Sequence, residues 1–307
     1  MKSEKNIENR NCNMKKLDYE IIKNQFNKKI FENSKTDLLE KLSKYPSRYV
    51  GIFRPTKPYT KIIQNITQSH EIKFGDAFEV LIRQSFEYYN YESIVRNHRL
   101  DNNDAVSFDQ LFSFNGRTIF IEQKIRDDHD STKKRGQIQN FEKKLDFLIS
   151  KNYSNICSYF YFIDPSLTKN KNYYLSEIEK LKSFYNTEIH LVYGNELFEK
   201  EKLDGFWEEE IIYFLEKWKK DLPDLPEINF DIDSQETFEE IKNLSPQVFR
   251  CLLDNEDVVN VIFPIIFPKN ETLTLLKEHF YNLSKKGDLK SRLYEKLYEK
   301  IYNILPK

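Results

Sequence analysis

The sequence predicts an α/β fold with a mixed central sheet and flanking helices, together with helical N- and C-terminal parts. Three observations lead to this prediction. Between residues 74 and 193, segments with helical spacing of apolar residues alternate with short runs rich in aromatic and β-branched residues. An Asn-Gly pair joins two of these runs, and it is the strongest local signal for a β-hairpin. After residue 195, the apolar residues have mostly helical spacing.

The first predicted elements are helices over residues 14–32 and 36–44, followed by a looping stretch to about residue 60 because of three prolines. The central elements are a helix, three strands, a helix, a strand, a helix and a strand. They cover residues 74–90, 91–95, 108–114, 117–125, 135–149, 156–163, 172–185 and 188–193. The last elements are an amphipathic helix over 206–220, a proline-containing linker and several helices over 234–303.

These elements predict three parts of the chain. We expect an N-terminal helical segment over residues 1–45, an α/β domain over residues 46–200 and a C-terminal helical region over residues 201–307. Each predicted part is one continuous segment of the chain, because it is assigned from the local pattern of apolar residues.

Composition limits the classes of function. With 39% hydrophobic and 15% aromatic residues, the chain can build a sizeable core, which argues against global disorder. The three cysteines form no CxxC pair, which argues against a disulfide framework or a cysteine zinc site and fits a reduced, cytoplasmic location. We expect no signal peptide and no membrane span. The seven glycines form no phosphate-binding loop.

Charge is unevenly distributed, although the formal net charge is -1. Residues 44–75 contain six Lys or Arg residues against one acid, and residues 196–257 contain nineteen acids against seven Lys or Arg residues. A local positive surface can therefore coexist with a nearly neutral total. Ordinary solvated faces also explain either count taken alone.

The predicted hairpin around Asn115-Gly116 is the most informative segment. A two-residue turn places Asp109 opposite Glu122, and like charges directly opposite each other destabilise a sheet. A divalent cation between the two carboxylates removes this conflict. Lys124 lies two residues after Glu122 and projects to the same face. The alternative is that these side chains belong to an exposed strand face.

Two acids and a lysine on one face predict metal-dependent cleavage of phosphodiester bonds. Asp109 and Glu122 are the predicted metal ligands, and the backbone carbonyl of Gln123 is a further one. Such an ion polarises the phosphate and lowers the pKa of a bound water. Lys124 is predicted to assist that water and to stabilise negative charge in the transition state.

These residues resemble the PD-(D/E)xK nuclease superfamily, and specifically the type II restriction endonucleases. Phe108-Asp109 and Glu122-Gln123-Lys124 match the family's motif, and the predicted order of elements over residues 74–163 matches its core. The stretches YVGIFRPTKPYTKIIQN, FGDAFE and EQKIRDDHDSTKKRGQ are similar to a bacterial subgroup. The family's first acid usually follows proline, whereas Phe108 precedes Asp109 here. Asp104 is therefore a rival, and the hairpin register favours Asp109.

The resemblance implies Mg²⁺-dependent, sequence-specific hydrolysis of double-stranded DNA, with Mn²⁺ as a substitute ion. It implies a further acid on the helix before the sheet, for which Glu79 is the candidate and Asp76 the weaker one. The equal alternative is that Glu79 is a solvated or capping residue of an amphipathic helix. It also implies a homodimer and a cognate DNA methyltransferase that shares the recognition site without needing to bind. Alternative functions are a repair or junction-resolving nuclease on the same core, or a non-catalytic DNA-binding protein.

Two basic stretches are candidate DNA-contacting segments. The first is stiffened by prolines, which reduces the entropy lost on binding. The second lies near the start of the helix expected over residues 135–149, where basic residues oppose the helix dipole. We expect contacts to phosphates and, from Arg135 or Gln137, to base edges. The candidates are Arg54, Lys57 and Lys61 in the first stretch and Lys133, Lys134, Arg135 and Gln137 in the second.

Overall fold

A computed structural model describes residues 18–99, 105–287 and 289–306. Contacts group the chain into two compact units. The first contains Phe74–Leu222 with the described residues up to Phe26, and the second contains Asn27–Lys73 and the chain from Pro223 onward. These units differ from the three predicted parts, because apolar helices from both sides of the α/β region share one core in the second unit.

Thirteen α-helices and seven strands occur in the described residues. The helices are α1 (Tyr19–Phe31), α2 (Ser34–Lys44), α3 (Ser47–Val50), α4 (Pro58–Tyr88), α5 (Ser131–Ser150), α6 (Lys171–Tyr185), α7 (Glu196–Lys200), α8 (Tyr213–Lys220), α9 (Ser234–Ile241), α10 (Pro246–Leu253), α11 (Phe263–Ile266), α12 (Glu271–Ser284) and α13 (Ser291–Ile304). Two π-helical segments are Trp207–Ile212 and Val258–Ile262. The strands are β1 (Glu92–Ser93), β2 (Asn97–Arg99), β3 (Ala105–Ser107), β4 (Gln110–Phe114), β5 (Arg117–Lys124), β6 (Ile156–Phe162) and β7 (Glu188–Tyr193).

The first unit is built around a mixed sheet of five strands in the order β1-β4-β5-β6-β7. β1, β4 and β5 pair antiparallel, whereas β5, β6 and β7 pair parallel. β2 and β3 form a separate antiparallel pair. The predicted α/β class with a mixed central sheet is confirmed.

Apolar side chains cover both faces of this sheet. On one face, Phe120 of β5 stacks on Phe141 of α5, with ring centroids 5.0 Å apart. On the other, Phe112 of β4 stacks on Phe86 of α4 at 5.2 Å. β6 is buried along its whole length, as expected for a parallel strand covered on both sides. β5 is likewise buried except at its two ends.

The described residues of the second unit form helices joined by loops, without a strand. Buried apolar side chains of α2, α10, α12 and α13 belong to one core, which includes Leu42, Phe249, Leu276 and Ile301. α2 and the C-terminal helices therefore stabilise each other although they are far apart in sequence.

Several predicted boundaries are wrong. The stretch near residue 60 was expected to loop, but α4 begins at Pro58 and continues for 31 residues; proline is tolerated in a first turn because that N–H needs no partner. α5 begins at Ser131, because the Asp130 carboxylate accepts hydrogen bonds from two backbone N–H groups of its first turn. The short, largely exposed strands β2 and β3 were not predicted.

The rival acid Asp104 lies outside the described residues. Among the residues that are described, no helix is both long enough and apolar enough to cross a membrane.

Candidate active site

The β4–β5 hairpin has the predicted turn and register. Asn115 and Gly116 have φ values of 50° and 74°, as a type I′ turn requires at both central positions. Phe114 pairs with Arg117 and Phe112 pairs with Ile119. Asp109 directly precedes β4, at the position that this register places beside Glu122.

Asp109, Glu122 and Lys124 lie together at the end of the hairpin. The Lys124 ammonium donates to Asp109 Oδ2 at 3.1 Å and to Glu122 Oε1 at 2.9 Å. Asp109 Oδ2 also accepts from the backbone N–H of Gln123 at 2.8 Å. Two groups of β5, the Gln123 N–H and the Lys124 ammonium, therefore hold the Asp109 carboxylate beside Glu122. The Lys124 ammonium contacts both predicted acids.

α5 adds two residues that the sequence did not indicate. The Lys144 ammonium contacts Glu122 Oε2 and lies 3.5 Å from Asp109 Oδ1. Asn140 Nδ2 donates to Glu122 Oε1 at 3.2 Å. Lys144 is only 4% exposed, on the helix face that also buries Phe141. The sequence feature that could have indicated Lys144 is its position among the apolar residues that form the buried face of α5.

The two ammonium groups compensate the two carboxylates. Burial by itself raises the pKa of Asp109, but nearby Lys124 and Lys144 and the backbone N–H of Gln123 outweigh it, so the pKa is lowered. Burial lowers the pKa of Lys124, but Glu122 and Asp109 outweigh it and the pKa is raised. Asp109 and Lys124 therefore stay charged at neutral pH.

Glu79 of α4 lies beside this cluster. Burial and the charge of Asp109 raise the pKa of Glu79 to about 7. Arg96 links the two acids, since its Nη1 donates to the backbone oxygen of Asp109 at 2.8 Å and lies 3.5 Å from Glu79 Oε2. The buried amide of Gln110 donates to the backbone oxygen of Glu79 at 2.6 Å. The structure thus places the candidate acid of α4 next to Asp109.

The available ligand atoms suit a hard divalent cation. Asp109 and Glu122 offer carboxylate oxygens, and the Gln123 carbonyl lies in the same cluster, where it accepts from the Lys124 ammonium at 2.8 Å. All are oxygen ligands, the class that Mg²⁺ prefers. The donor set therefore fits the predicted ion.

A comparison with family models supports the resemblance found in the sequence. Residues 85–219 match the family model described as "Type II restriction endonuclease, HinfI". Over these residues the chain is similar to a type II restriction endonuclease. A comparison with curated proteins and one with solved structures gave no match.

The segment that matches this family model contains most of the cluster. Asp109, Glu122, Lys124 and Lys144 lie within residues 85–219, whereas Glu79 lies six residues before it. The region falls inside the long segment of the first compact unit, Phe74–Leu222. Family match and side-chain cluster therefore point to the same part of the chain.

The basic residues at the start of α5 differ in their surroundings. Lys133 and Arg135 are exposed. Lys134 donates to Asn170 Oδ1 at 3.2 Å and lies over the Tyr173 ring. Gln137 does not fit its predicted role in base reading, because its side chain is buried and accepts from the Tyr174 hydroxyl at 2.6 Å.

The other basic stretch lies in the second compact unit. Arg54 and Lys57 are exposed in the loop before α4. Lys61 is on the first turn of α4 and donates to Gln64 at 2.8 Å. Their predicted contact with DNA stays a prediction.

Cys157, Glu188 and His190 form a second group of possible metal ligands on β6 and β7. Burial raises the pKa of the Cys157 thiol to about 12, so the thiol is protonated at neutral pH. Zinc and similar ions bind the thiolate. An ion bound there would have to displace this proton, whereas the ligand atoms near Lys124 are all oxygens, the class that Mg²⁺ prefers.

Proposed function

We propose that the protein is a Mg²⁺-dependent type II restriction endonuclease, which hydrolyses phosphodiester bonds at a specific sequence in double-stranded DNA. The observation that carries this proposal is the contact between Asp109, Glu122 and Lys124 at the end of the hairpin. It lies within the region that matches the restriction endonuclease family.

Different residues of the chain would bind the metal ion and assist the attacking water. Asp109 and Glu122, with the Gln123 carbonyl, would hold the ion, and Glu79 would support it from α4. When bound, Mg²⁺, or Mn²⁺ in its place, supplies a Lewis acid at the phosphate and lowers the pKa of a water. Lys124, fixed by its contacts to both acids, orients the attacking water and stabilises the charge that develops on the phosphate.

Exposed basic side chains of both units are the proposed DNA contacts. They are the exposed Lys133 and Arg135 with the half-buried Lys134 at the start of α5, and the exposed Arg54 and Lys57 with the half-buried Lys61 around the start of α4. Phosphate contacts fix the position of a protein on the duplex, whereas base contacts give specificity. Arg135 is the candidate for a base contact, because its guanidinium suits the acceptor edge of guanine.

We further infer a homodimer, because two-fold symmetry suits cleavage of both strands at a palindromic site. A DNA methyltransferase that modifies the same DNA recognition site would complete a restriction-modification system without binding this protein. A cytoplasmic location follows, since that is where such an enzyme meets DNA.

The test is digestion of plasmid DNA by the full-length protein with Mg²⁺. We expect discrete fragments, no cleavage in EDTA, and cleavage slowed by about 10²-fold or more in Lys124→Ala. Lys143→Ala, a lysine at an exposed position of α5, is the matched control and should cleave normally. Nicking that depends on DNA structure would indicate a repair or junction-resolving nuclease instead. Binding without cleavage would indicate a non-catalytic DNA-binding protein.

A further inference from the structure

The two lysines contact the acid pair through different oxygens. Lys124 Nζ is 2.9 Å from Glu122 Oε1 and 3.1 Å from Asp109 Oδ2. Lys144 Nζ contacts Glu122 Oε2 and lies 3.5 Å from Asp109 Oδ1. Each ammonium therefore bridges the two carboxylates and takes one oxygen from each.

These two pairs of oxygens also differ in their other partners. Glu122 Oε1 accepts from Asn140, and Asp109 Oδ2 accepts from the backbone N–H of Gln123. For Glu122 Oε2 and Asp109 Oδ1, Lys144 is the partner seen within the described part of the chain. Lys144 thus lies at the two oxygens that are least engaged by the rest of the protein.

We propose that Lys144 is a built-in counter-cation, which competes with a divalent ion for Asp109 and Glu122 and keeps the affinity of the DNA-free protein for that ion low. A divalent ion held by the same two acids would be close to the Lys144 ammonium, and like charges that are close together repel strongly in a poorly solvated site. This inference rests on the proposed function, because it takes the two acids as metal ligands.

Lys144 also resolves the conflict that the sequence raised. Two acids placed opposite each other destabilise a hairpin. Here a buried lysine from α5, only 4% exposed, neutralises them together with Lys124. The acid pair can then fold in place without an ion, and Lys144 acts as a positioning residue for Glu122 and Asp109.

The experiment measures Mn²⁺ binding to the full-length, DNA-free protein by electron paramagnetic resonance. Lys144→Met keeps the apolar stem and removes the charge, and Lys144→Arg keeps the charge. We expect Lys144→Met to bind Mn²⁺ about tenfold more tightly or better, a typical size for a coupling between two sites. Lys144→Arg and the control Lys143→Met should bind as the wild type does.

A second measurement uses the unmodified protein and so does not depend on the folding of a variant. Acylation of lysines by an activated ester is followed by mass spectrometry with and without Mn²⁺. We expect Mn²⁺ to raise the acylation of Lys144 and to leave that of Lys143 unchanged. If Mn²⁺ leaves Lys144 equally protected, the competition does not occur.

Two further variants separate this inference from the proposed function. Asp109→Asn and Glu122→Gln should each weaken Mn²⁺ binding. If they do and Lys144→Met binds no more tightly than the wild type, the counter-cation role is wrong and the metal site stands. If neither substitution affects binding, the acids are not the ligands and both proposals fail.

Discussion

Glu122→Gln tests whether lysines compensate the acid pair. Glu122 is 1% exposed, and its two oxygens contact Lys124 and Lys144. Where acids repel each other, removing one charge stabilises a protein; here two ammonium groups would be left to share Asp109. Breaking a buried ion pair costs about 3–5 kcal/mol, and we expect about 3 kcal/mol because the amide oxygen still accepts a hydrogen bond. That corresponds to a melting temperature lower by about 6–12 °C.

The assay is urea unfolding at neutral pH in EDTA, followed by circular dichroism. The matched control is Glu208→Gln, at an exposed position of the same unit, which should change the free energy of unfolding by less than about 0.5 kcal/mol. Adding Lys144→Met to Glu122→Gln should recover part of the loss, because both members of one pair are then neutral. A Glu122→Gln protein as stable as the wild type would refute the compensation argument.

The remaining predictions concern Lys124, Glu79 and Glu201. Lys124→Ala should lower the rate of plasmid cleavage by about 10²-fold or more while gel-shift affinity for DNA changes little; an equal loss of affinity would contradict its role at the phosphate. Because the pKa of Glu79 is raised from 4.5 to about 7, the folded protein binds the extra proton between these pH values, and stability falls as pH rises through them. Glu79→Gln should make the free energy of unfolding, measured with urea, less dependent on pH in this range. An unchanged pH dependence would contradict the raised pKa of Glu79. Glu201→Gln should destabilise the first unit by about 3 kcal/mol in the same assay, because the buried carboxylate accepts from Tyr91 and Tyr159 and pairs with Arg117; a change below about 1 kcal/mol would be inconsistent with that network.

Local chemistry was sufficient to predict the hairpin and the residues it aligns. Asn115 and Gly116 accept positive φ and set a two-residue turn, so the pairing of Phe112 with Ile119 follows without any tertiary information. The placement of Asp109 beside Glu122 depends on that register. The period of two along β5 then brings Lys124 to the same face.

Contacts between elements could not be predicted in this way. Lys144 contacts the acids because α5 packs across the face of the sheet that carries Glu122, and the sequence does not specify that packing. Gln137 was assigned to base reading from the charges around it, but it lies one helical turn before Phe141 and is buried. α4 was predicted too short, since its first half packs into a different core from its second half.

α5 is one uninterrupted helix of 20 residues. Lys133, in its first turn, and Lys144 are separated by about 16 Å along the helix axis. Under the proposed DNA contacts of Lys133 and Arg135, a duplex that tilts the first turn of α5 would also move Lys144 relative to Asp109 and Glu122. If the proposed function holds, we expect substitutions at the start of α5 that change sequence preference to change the turnover rate as well, so that the two properties would have to be selected together.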